Sequence, residues 1–134
     1  MSLSRREFLT SVAAGGAVLS LSPSLLAQTM PYPKLAHHVF FWLKNPDSNE
    51  DLAKLIAGIK SLAAIETVRG LHVGVPASVE PRPVVDGSYS ASELLFFDDI
   101  AGQDAYQVHP LHKKFIAEHA HLWRKVVVYD TAAV

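Results

Sequence analysis

Four stretches of the chain have the apolar patterning of β-strands. Residues 36–44 are rich in aromatic and β-branched side chains and end at an Asn-Pro pair, which predicts a strand that is apolar, and therefore buried, on both faces. Residues 67–75 alternate between apolar and polar positions, and residues 89–97 and 123–130 form two further apolar runs. The pattern predicts four strands.

The segment after the first strand has helical periodicity. Ser48 stands three residues before Asp51, which is the spacing of an N-terminal capping box with Asp in place of the usual Glu. Apolar residues then follow at steps of three and four: Leu52, Leu55, Ile56, Ile59 and Leu62. One amphipathic helix over residues 49–64 is predicted.

The second half of the chain predicts a loop and a helix in two pieces. Residues 76–88 contain three prolines and an Asp-Gly turn, so they form one long loop. Asp99 can cap a helix over residues 100–108. Pro110 suits the first turn of a further helix that ends near residue 122.

The predicted order of elements is therefore β-α-β-β-α-β. This is the order of the ferredoxin-like fold, an α+β architecture in which a four-stranded antiparallel sheet carries its helices on one face. The first strand contains Val-Phe-Phe-Trp-Leu, which is too apolar to leave either side in water. We therefore expect a homodimer in which two sheets face each other and enclose an α/β barrel.

The N-terminus has the layout of an export signal. Arg5 and Arg6 precede a weakly apolar run over residues 11–26, and Ala27 offers a small residue for cleavage. The Arg pair followed by Phe-Leu resembles the twin-arginine signal of bacteria. This resemblance predicts export to the periplasm and removal of residues 1–27 by cleavage. A Sec-type signal or a retained anchor is the alternative. The run is too short to cross about 30 Å of hydrocarbon, so no stable membrane insertion is expected after cleavage.

Composition and charge exclude several classes of protein. The 134 residues carry 12 Lys and Arg against 13 Asp and Glu, so the chain has no excess of positive charge for binding nucleic acid. The chain has no cysteine, so it has no disulfide framework, thiolate metal site or cysteine nucleophile. The pairs His109-x-x-His112 and His119-x-His121 are weak metal signals, because residues two apart on a helix face in different directions. We expect no metal and no cofactor.

A phenol and two imidazoles are close together in the sequence, near the start of the last predicted helix. Tyr106 precedes His112 by six residues, and His109 lies between them. If a phenol and an imidazole converge on a cleft, the neutral imidazole can remove a proton next to a carbonyl group. The phenol can donate a hydrogen bond to the oxygen at which charge develops. The alternative is that His109 caps the turn at Pro110 and that Tyr106 packs on the sheet.

Two strands carry further candidate residues. His38, Phe40 and Trp42 share one face by the period of two, and His37 points the other way. Glu93 lies in mid-strand on the face of Leu95, where an ionised carboxylate costs several kcal/mol unless it is paired or protonated. If Glu93 faces a cleft, it is a partner for His38 or His112, or a metal ligand. If the other face of the strand meets the cleft, Glu93 is an exposed or edge residue.

Three stretches together resemble the stress-responsive A/B-barrel family, called Dabb, of the dimeric α+β barrel superfamily. They are His38-Val39 with Leu43-Lys44; Phe97-Asp98-Asp99 with Tyr106-Gln107 and His109-Pro110-Leu111-His112; and Phe115, Trp123 and residues 126–130. The resemblance covers residues 36–130, so residues 28–35 are an N-terminal extension. It implies a homodimer with a cleft in each half of the barrel.

The resemblance also implies where a ligand would bind. One plant branch of the family comprises cofactor-free polyketide cyclases, and this chain is similar to that branch at His38, Tyr106, His112, Phe115 and Trp123. By the same resemblance, the strand face with His38, Phe40 and Trp42 lies inside the barrel. The 76–88 loop has no clear match, so the choice of substrate does not carry over.

Two functions follow as hypotheses. In the first, an exported homodimer binds a small apolar or aromatic carbonyl compound, with His112 as catalytic base and Tyr106 as donor to the developing oxyanion. In the second, the barrel is a non-catalytic, stress-related module that only binds a ligand. In both, the predicted ligand contacts are His38, Phe40, Trp42, Glu93, His109, Phe115 and Trp123. A metal or haem carrier is a third and weaker hypothesis.

Overall fold

The structure is a computed structural model that describes residues 32–134. The predicted export signal over residues 1–27 and the first part of the extension lie outside the described residues. No helix within residues 32–134 is long and apolar enough to cross a membrane.

The elements follow one another in the predicted order. The strands are β1 (Leu35–Leu43), β2 (Gly70–Gly74), β3 (Ala91–Phe97) and β4 (Trp123–Ala132), and the helices are α1 (Asn49–Ser61), α2 (Ile100–Val108) and α3 (Pro110–His119). Single 3₁₀ turns follow α1 and α3, so both helices end three residues earlier than predicted. The β-α-β-β-α-β prediction is confirmed, with the second helix divided at Pro110.

Side chains at the helix starts accept hydrogen bonds from free backbone N–H groups. The Oγ of Ser48 accepts a hydrogen bond of 3.1 Å from the N–H of Asp51, as the capping box predicts. The Oδ1 of Asp99 accepts one of 2.8 Å from the N–H of Gly102. These short-range contacts explain why the helix starts could be located from the sequence.

The four strands form one antiparallel sheet in the order β2-β3-β1-β4. In the middle of the sheet, Val39 of β1 lies opposite Glu93 of β3 on one side and opposite Val128 of β4 on the other. Residues that lie opposite each other in antiparallel strands point to the same face. Glu93 therefore points to the same face as Val39, Leu95 and Phe97, which are all buried.

One face of the sheet packs against the helices and forms the core. The buried residues of β1 are the alternating set Leu35, His37, Val39, Phe41 and Leu43. Helix α1 contributes Leu55 and Ile59 to the core, and α2 and α3 contribute Tyr106 and Phe115. This face, with the helices above it, contains the cavity described below.

The other face, called here the open sheet face, carries a second apolar surface. It includes Phe40 and Trp42 of β1, Leu94 and Phe96 of β3, and Val127 and Tyr129 of β4. The four β1 residues on this face, at positions 36, 38, 40 and 42, are half-buried within the protomer. The prediction that β1 is buried on both faces therefore holds fully for the helix side and only in part for the open side.

Candidate functional site

A cavity of about 190 Å³ lies between the sheet and helices α2 and α3. For comparison, a cavity of about 150 Å³ in another protein holds benzene. Its apolar lining residues are Val39, Phe41, Phe115, Ile116, Trp123, Val126 and Val128, and its polar lining residues are His37, Glu93, Tyr106, Gln107 and His112. The space and the lining suit a molecule built on one aromatic ring.

Glu93 and Tyr106 form a buried hydrogen-bonded pair at this cavity. The Tyr106 hydroxyl group donates a hydrogen bond of 3.1 Å to Oε1 of Glu93, and each residue is 1% exposed. Burial raises the pKa of the Glu93 carboxyl group to about 7, and the hydrogen bond from Tyr106 opposes that rise. Burial and the neighbouring carboxylate both raise the pKa of Tyr106, so its phenol stays protonated.

His112 lies beside this pair with a defined tautomer. Its Nδ1 is 3.1 Å from the backbone carbonyl oxygen of Gln107. Because a carbonyl oxygen only accepts hydrogen bonds, Nδ1 carries the hydrogen and the neutral ring has its lone pair on Nε2. Burial lowers the pKa of His112, although the hydrogen bond to Gln107 acts in the opposite direction. The imidazole is a neutral base whose ring centre lies 4.6 Å from that of Tyr106.

The break between α2 and α3 explains why the Gln107 carbonyl is available. His109 is extended, with φ −64° and ψ 140°, and ends α2 before Pro110 begins α3. In a continuous helix the Gln107 carbonyl would accept from Leu111, four residues later. Here the N–H of Leu111 donates instead to Nδ1 of His109, over 3.1 Å. The helix break thus leaves a carbonyl that orients His112.

A second imidazole in the cavity belongs to His37. This residue is 5% exposed, and its Nδ1 lies 2.5 Å from Oδ1 of Asp130 on the neighbouring strand β4. The Nε2 of Gln103 donates a hydrogen bond of 3.1 Å to the same carboxylate oxygen. Because a carboxylate accepts hydrogen bonds, Nδ1 of His37 carries a hydrogen. Asp130 therefore orients His37 much as Gln107 orients His112.

His37 was expected to point away from the site, and that expectation is wrong. The period of two was applied correctly, but the wrong face of β1 was assigned to the cleft. His38, Phe40 and Trp42 lie on the open sheet face, so the sheet separates them from His112 within one protomer. A sequence signal for His37 was available, because its face otherwise carries only Leu, Val and Phe.

The three residues on the open sheet face make other contacts. The rings of His38 and Phe40 lie 4.2 Å apart, and Phe40 also packs against Tyr89 at 4.9 Å. The Nε1–H of Trp42 donates a hydrogen bond of 3.0 Å to Oγ of Ser88. Their predicted ligand contacts would therefore have to form on the open sheet face and not in the cavity with His112.

His109 lies outside the cavity and caps helix α3. Its Nδ1 accepts the hydrogen bond from Leu111, and its Nε2–H donates one of 3.1 Å to Oε2 of Glu66. With both ring nitrogens occupied, it is not placed to contact a ligand beside His112. The alternative stated from the sequence, that His109 caps the turn at Pro110, matches this geometry. The predicted contact between His109 and a ligand does not match it.

The other predicted site residues line one cavity. Glu93, Tyr106, His112, Phe115 and Trp123 all contribute to its wall. The sequence analysis named Gln107 and residues 126–130 only as carriers of the family resemblance and did not assign Gln107, Asp130, Val126 or Val128 to the site. Within residues 32–134 there is no group of three or more His, Asp or Glu residues that could hold a metal ion.

The fold and the cavity define a ferredoxin-like α+β protein with a pocket between the sheet and the helices. Residues 35–133 match the stress responsive A/B barrel domain, Dabb, and the chain belongs to this family. The family predicted from the sequence is confirmed. No curated protein matches the chain.

Solved structures support the fold. A Dabb family protein with a ferredoxin-like fold from Mesorhizobium loti is 22% identical with a TM-score of 0.62, over 75% of this chain and 96% of the other. A dimeric ferredoxin-like protein of unknown function from Thermobifida fusca is 22% identical with a TM-score of 0.60, over 74% and 90%. A hydroxynitrile lyase from Passiflora edulis is 20% identical with a TM-score of 0.64, over 78% and 96%.

Proposed function

We propose that this Dabb protein binds a small aromatic or apolar carbonyl compound in the cavity and removes a proton next to the carbonyl group without a cofactor. The observation that carries the proposal is the neutral His112 imidazole, whose lone pair is on Nε2 and whose ring lies beside Tyr106. A lowered pKa keeps this base unprotonated near neutral pH. The largely apolar wall favours an apolar ligand.

The proposed step uses groups that already lie at the cavity. The C–H bond next to the carbonyl breaks, Nε2 of His112 takes the proton, and the electron pair moves to the carbonyl oxygen as an enolate. The Tyr106 hydroxyl stabilises that oxygen by a hydrogen bond. For this it must turn from Glu93, or share its hydrogen between the two oxygens. The similarity to a protein named as a hydroxynitrile lyase supports an enzymatic role for the fold.

The second candidate function is binding without catalysis. The observation that favours it is the bond from the Tyr106 hydroxyl to Glu93, which occupies the only hydrogen of the proposed oxyanion donor. In that case the cavity holds a ligand and releases it unchanged. The two functions differ in whether the ligand exchanges a proton.

We also propose that the protein works in the periplasm as a homodimer, after export by the twin-arginine route. The motif at Arg5 and Arg6 supports the export route. The open sheet face supports the dimer, because a large apolar surface of this kind is normally covered. The dimeric relative from Thermobifida fusca has the same fold. The proposed partners are a second copy of the chain and a small molecule, with no nucleic acid.

Proton exchange into acetophenone tests the catalytic proposal. In D₂O, the protein should accelerate deuterium incorporation into the acetophenone methyl group, as followed by NMR. Replacing the base by His112→Gln should lower the rate at least about 100-fold, since a positioned acid or base contributes that much. The matched control is His121→Gln, at an exposed position outside the cavity, which should exchange like the wild type.

The other outcomes separate the two functions. Saturable acetophenone binding by calorimetry without enzymatic exchange would favour the binding module over the enzyme. Exchange that survives His112→Gln would exclude His112 as the base. If acetophenone neither binds nor exchanges, and hydroxylated acetophenones do not either, the proposed substrate class is wrong.

A further inference from the structure

Glu93 is an unusual residue for its place in the sheet. It lies in the middle of β3, opposite Val39 of β1 and Val73 of β2, on the face that packs against the helices. A β-branched apolar residue would suit this position without any polar group to satisfy. A carboxyl group here needs partners, because an unpaired buried polar group costs free energy.

Only one oxygen of this carboxyl group has a partner within residues 32–134. Oε1 accepts the hydrogen bond from Tyr106, whereas Oε2 is buried and makes no hydrogen bond to the described part of the chain. The residue is 1% exposed and lines the cavity. Two observations therefore coincide in one side chain: Glu93 lines the cavity, and one of its buried oxygens has no hydrogen-bond partner in the described part of the chain.

The chemistry of Oε2 limits what its partner can be. Because Tyr106 donates to Oε1, Oε2 is either a charged acceptor or, in the protonated acid, the donor. Both forms are populated near neutral pH, since the pKa of Glu93 is about 7. A carbonyl oxygen satisfies only the protonated form, and an ammonium group only the charged form. A hydroxyl group donates and accepts, so it satisfies Oε2 in either state.

We propose that Glu93 binds a hydroxyl group of the ligand through Oε2, so that the cavity selects hydroxylated aromatic carbonyl compounds over their unsubstituted counterparts. This inference rests on the proposed function, because it names the substrate class of the same cavity. Tyr106 contacts both residues, because its hydroxyl group donates to Glu93 and its ring lies beside that of His112. The ligand hydroxyl therefore binds at Glu93, and the reacting carbon lies near His112 in the same cavity.

Calorimetry with acetophenone and its three hydroxylated isomers tests this selection at pH 7. The 2-, 3- and 4-hydroxy isomers place the hydroxyl group at three distances from the carbonyl group. At least one isomer should bind the wild type about tenfold or more tightly than acetophenone, which is the range for satisfying a buried polar group. Equal affinity for acetophenone and all three isomers would overturn the inference while leaving the proposed function in place.

Two variants of Glu93 identify the residue responsible. Glu93→Val should remove the preference for the hydroxylated isomer, because the side chain then offers no polar atom. Glu93→Gln should keep much of it, because the amide can accept from Tyr106 and still donate to the ligand hydroxyl. The matched control is Glu80→Gln, an exposed position in the 76–88 loop, which should bind like the wild type.

The variants also separate the inference from a loss of folding. Circular dichroism and thermal unfolding would show whether Glu93→Val is folded, and Glu93→Gln provides a second folded comparison if it is not. A preference that persists in folded Glu93→Val, or one that is lost equally in Glu93→Gln and Glu80→Gln, would exclude Glu93 as the selecting residue. If none of the four compounds binds the wild type, both the inference and the proposed function fail.

Discussion

At the scale of single residues, the Glu93 carboxyl group couples folding to pH. Burial raises its pKa from an ordinary 4.5 to about 7, so the folded chain retains a proton that the unfolded chain loses at lower pH. The folded state then binds more protons than the unfolded state between these two values, and stability falls as the pH rises through them. The contribution of Glu93 is thus most favourable in acid and least favourable above pH 7.

Glu93→Gln should therefore stabilise the chain more at pH 8 than at pH 5, relative to wild type. The raised pKa of Glu93 predicts that the difference in unfolding free energy between variant and wild type changes by about 2–3 kcal/mol between pH 5 and pH 8. Urea unfolding of both proteins at each pH measures the difference, and the other titratable groups are common to both. Glu80→Gln should show no such pH dependence. The same stability difference at pH 5 and pH 8 would mean that the pKa of Glu93 is not raised.

At the scale of elements, the break between α2 and α3 arranges the site. A single continuous helix would use the Gln107 carbonyl internally and would leave His112 without its orienting partner. His109 stabilises the break by capping α3, and Pro110 occupies the first turn, where its missing N–H costs nothing. The sequence Tyr-x-x-His-Pro-x-His therefore contains three cavity residues, Tyr106, Gln107 and His112, and one structural residue, His109.

His109→Ala should lower the unfolding free energy by about 1 kcal/mol, the usual effect of losing a helix cap. His109→Asn should retain most of the stability, because Asn is a good capping residue. Urea unfolding measures both changes. Proton exchange into acetophenone by folded His109→Ala should stay within a few-fold of wild type. A stable His109→Ala protein that had lost exchange would show that His109 acts in the reaction and not as a cap.

At the scale of the whole molecule, the open sheet face is the surface expected to form the dimer. It carries Phe40, Trp42, Phe96 and Tyr129, and the helices cover only the opposite face. Specific dimers bury about 800 Å² on each partner, and an apolar sheet face of four strands can provide such an area. His38 lies on the same face, and partial burial already lowers its pKa.

Phe40→Lys should convert the dimer into a monomer without unfolding the protomer. The substituted side chain lies on the open sheet face, away from the core formed with the helices. Light scattering after size-exclusion chromatography measures the mass, and circular dichroism checks the fold. Val84→Lys, at an exposed loop position, is the control and should remain dimeric. A wild type that is monomeric at all concentrations would contradict the dimer.

The sequence predicted most of the fold and part of the candidate site. Ser48 and Pro110 located helix starts because caps and proline act within a few residues of their own position. The alternation around Glu93 correctly grouped it with Leu95, which is buried on the same face. The prediction that His38, and not His37, faces the site failed because both faces of β1 are apolar. A period of two separates the two faces but does not show which one packs against the helices.

The sequence by itself determined the order of the elements, the helix caps, the family and the pairing of Tyr106 with His112 in one motif. These features depend on short-range patterns, which can be recognised within a short segment of the sequence. Only the tertiary structure decided that β1 turns His37 toward the helices, that Asp130 orients it, and that Glu93 binds Tyr106. The physical reason is that these contacts depend on strand register and helix packing, which join residues as far as 93 positions apart in the chain.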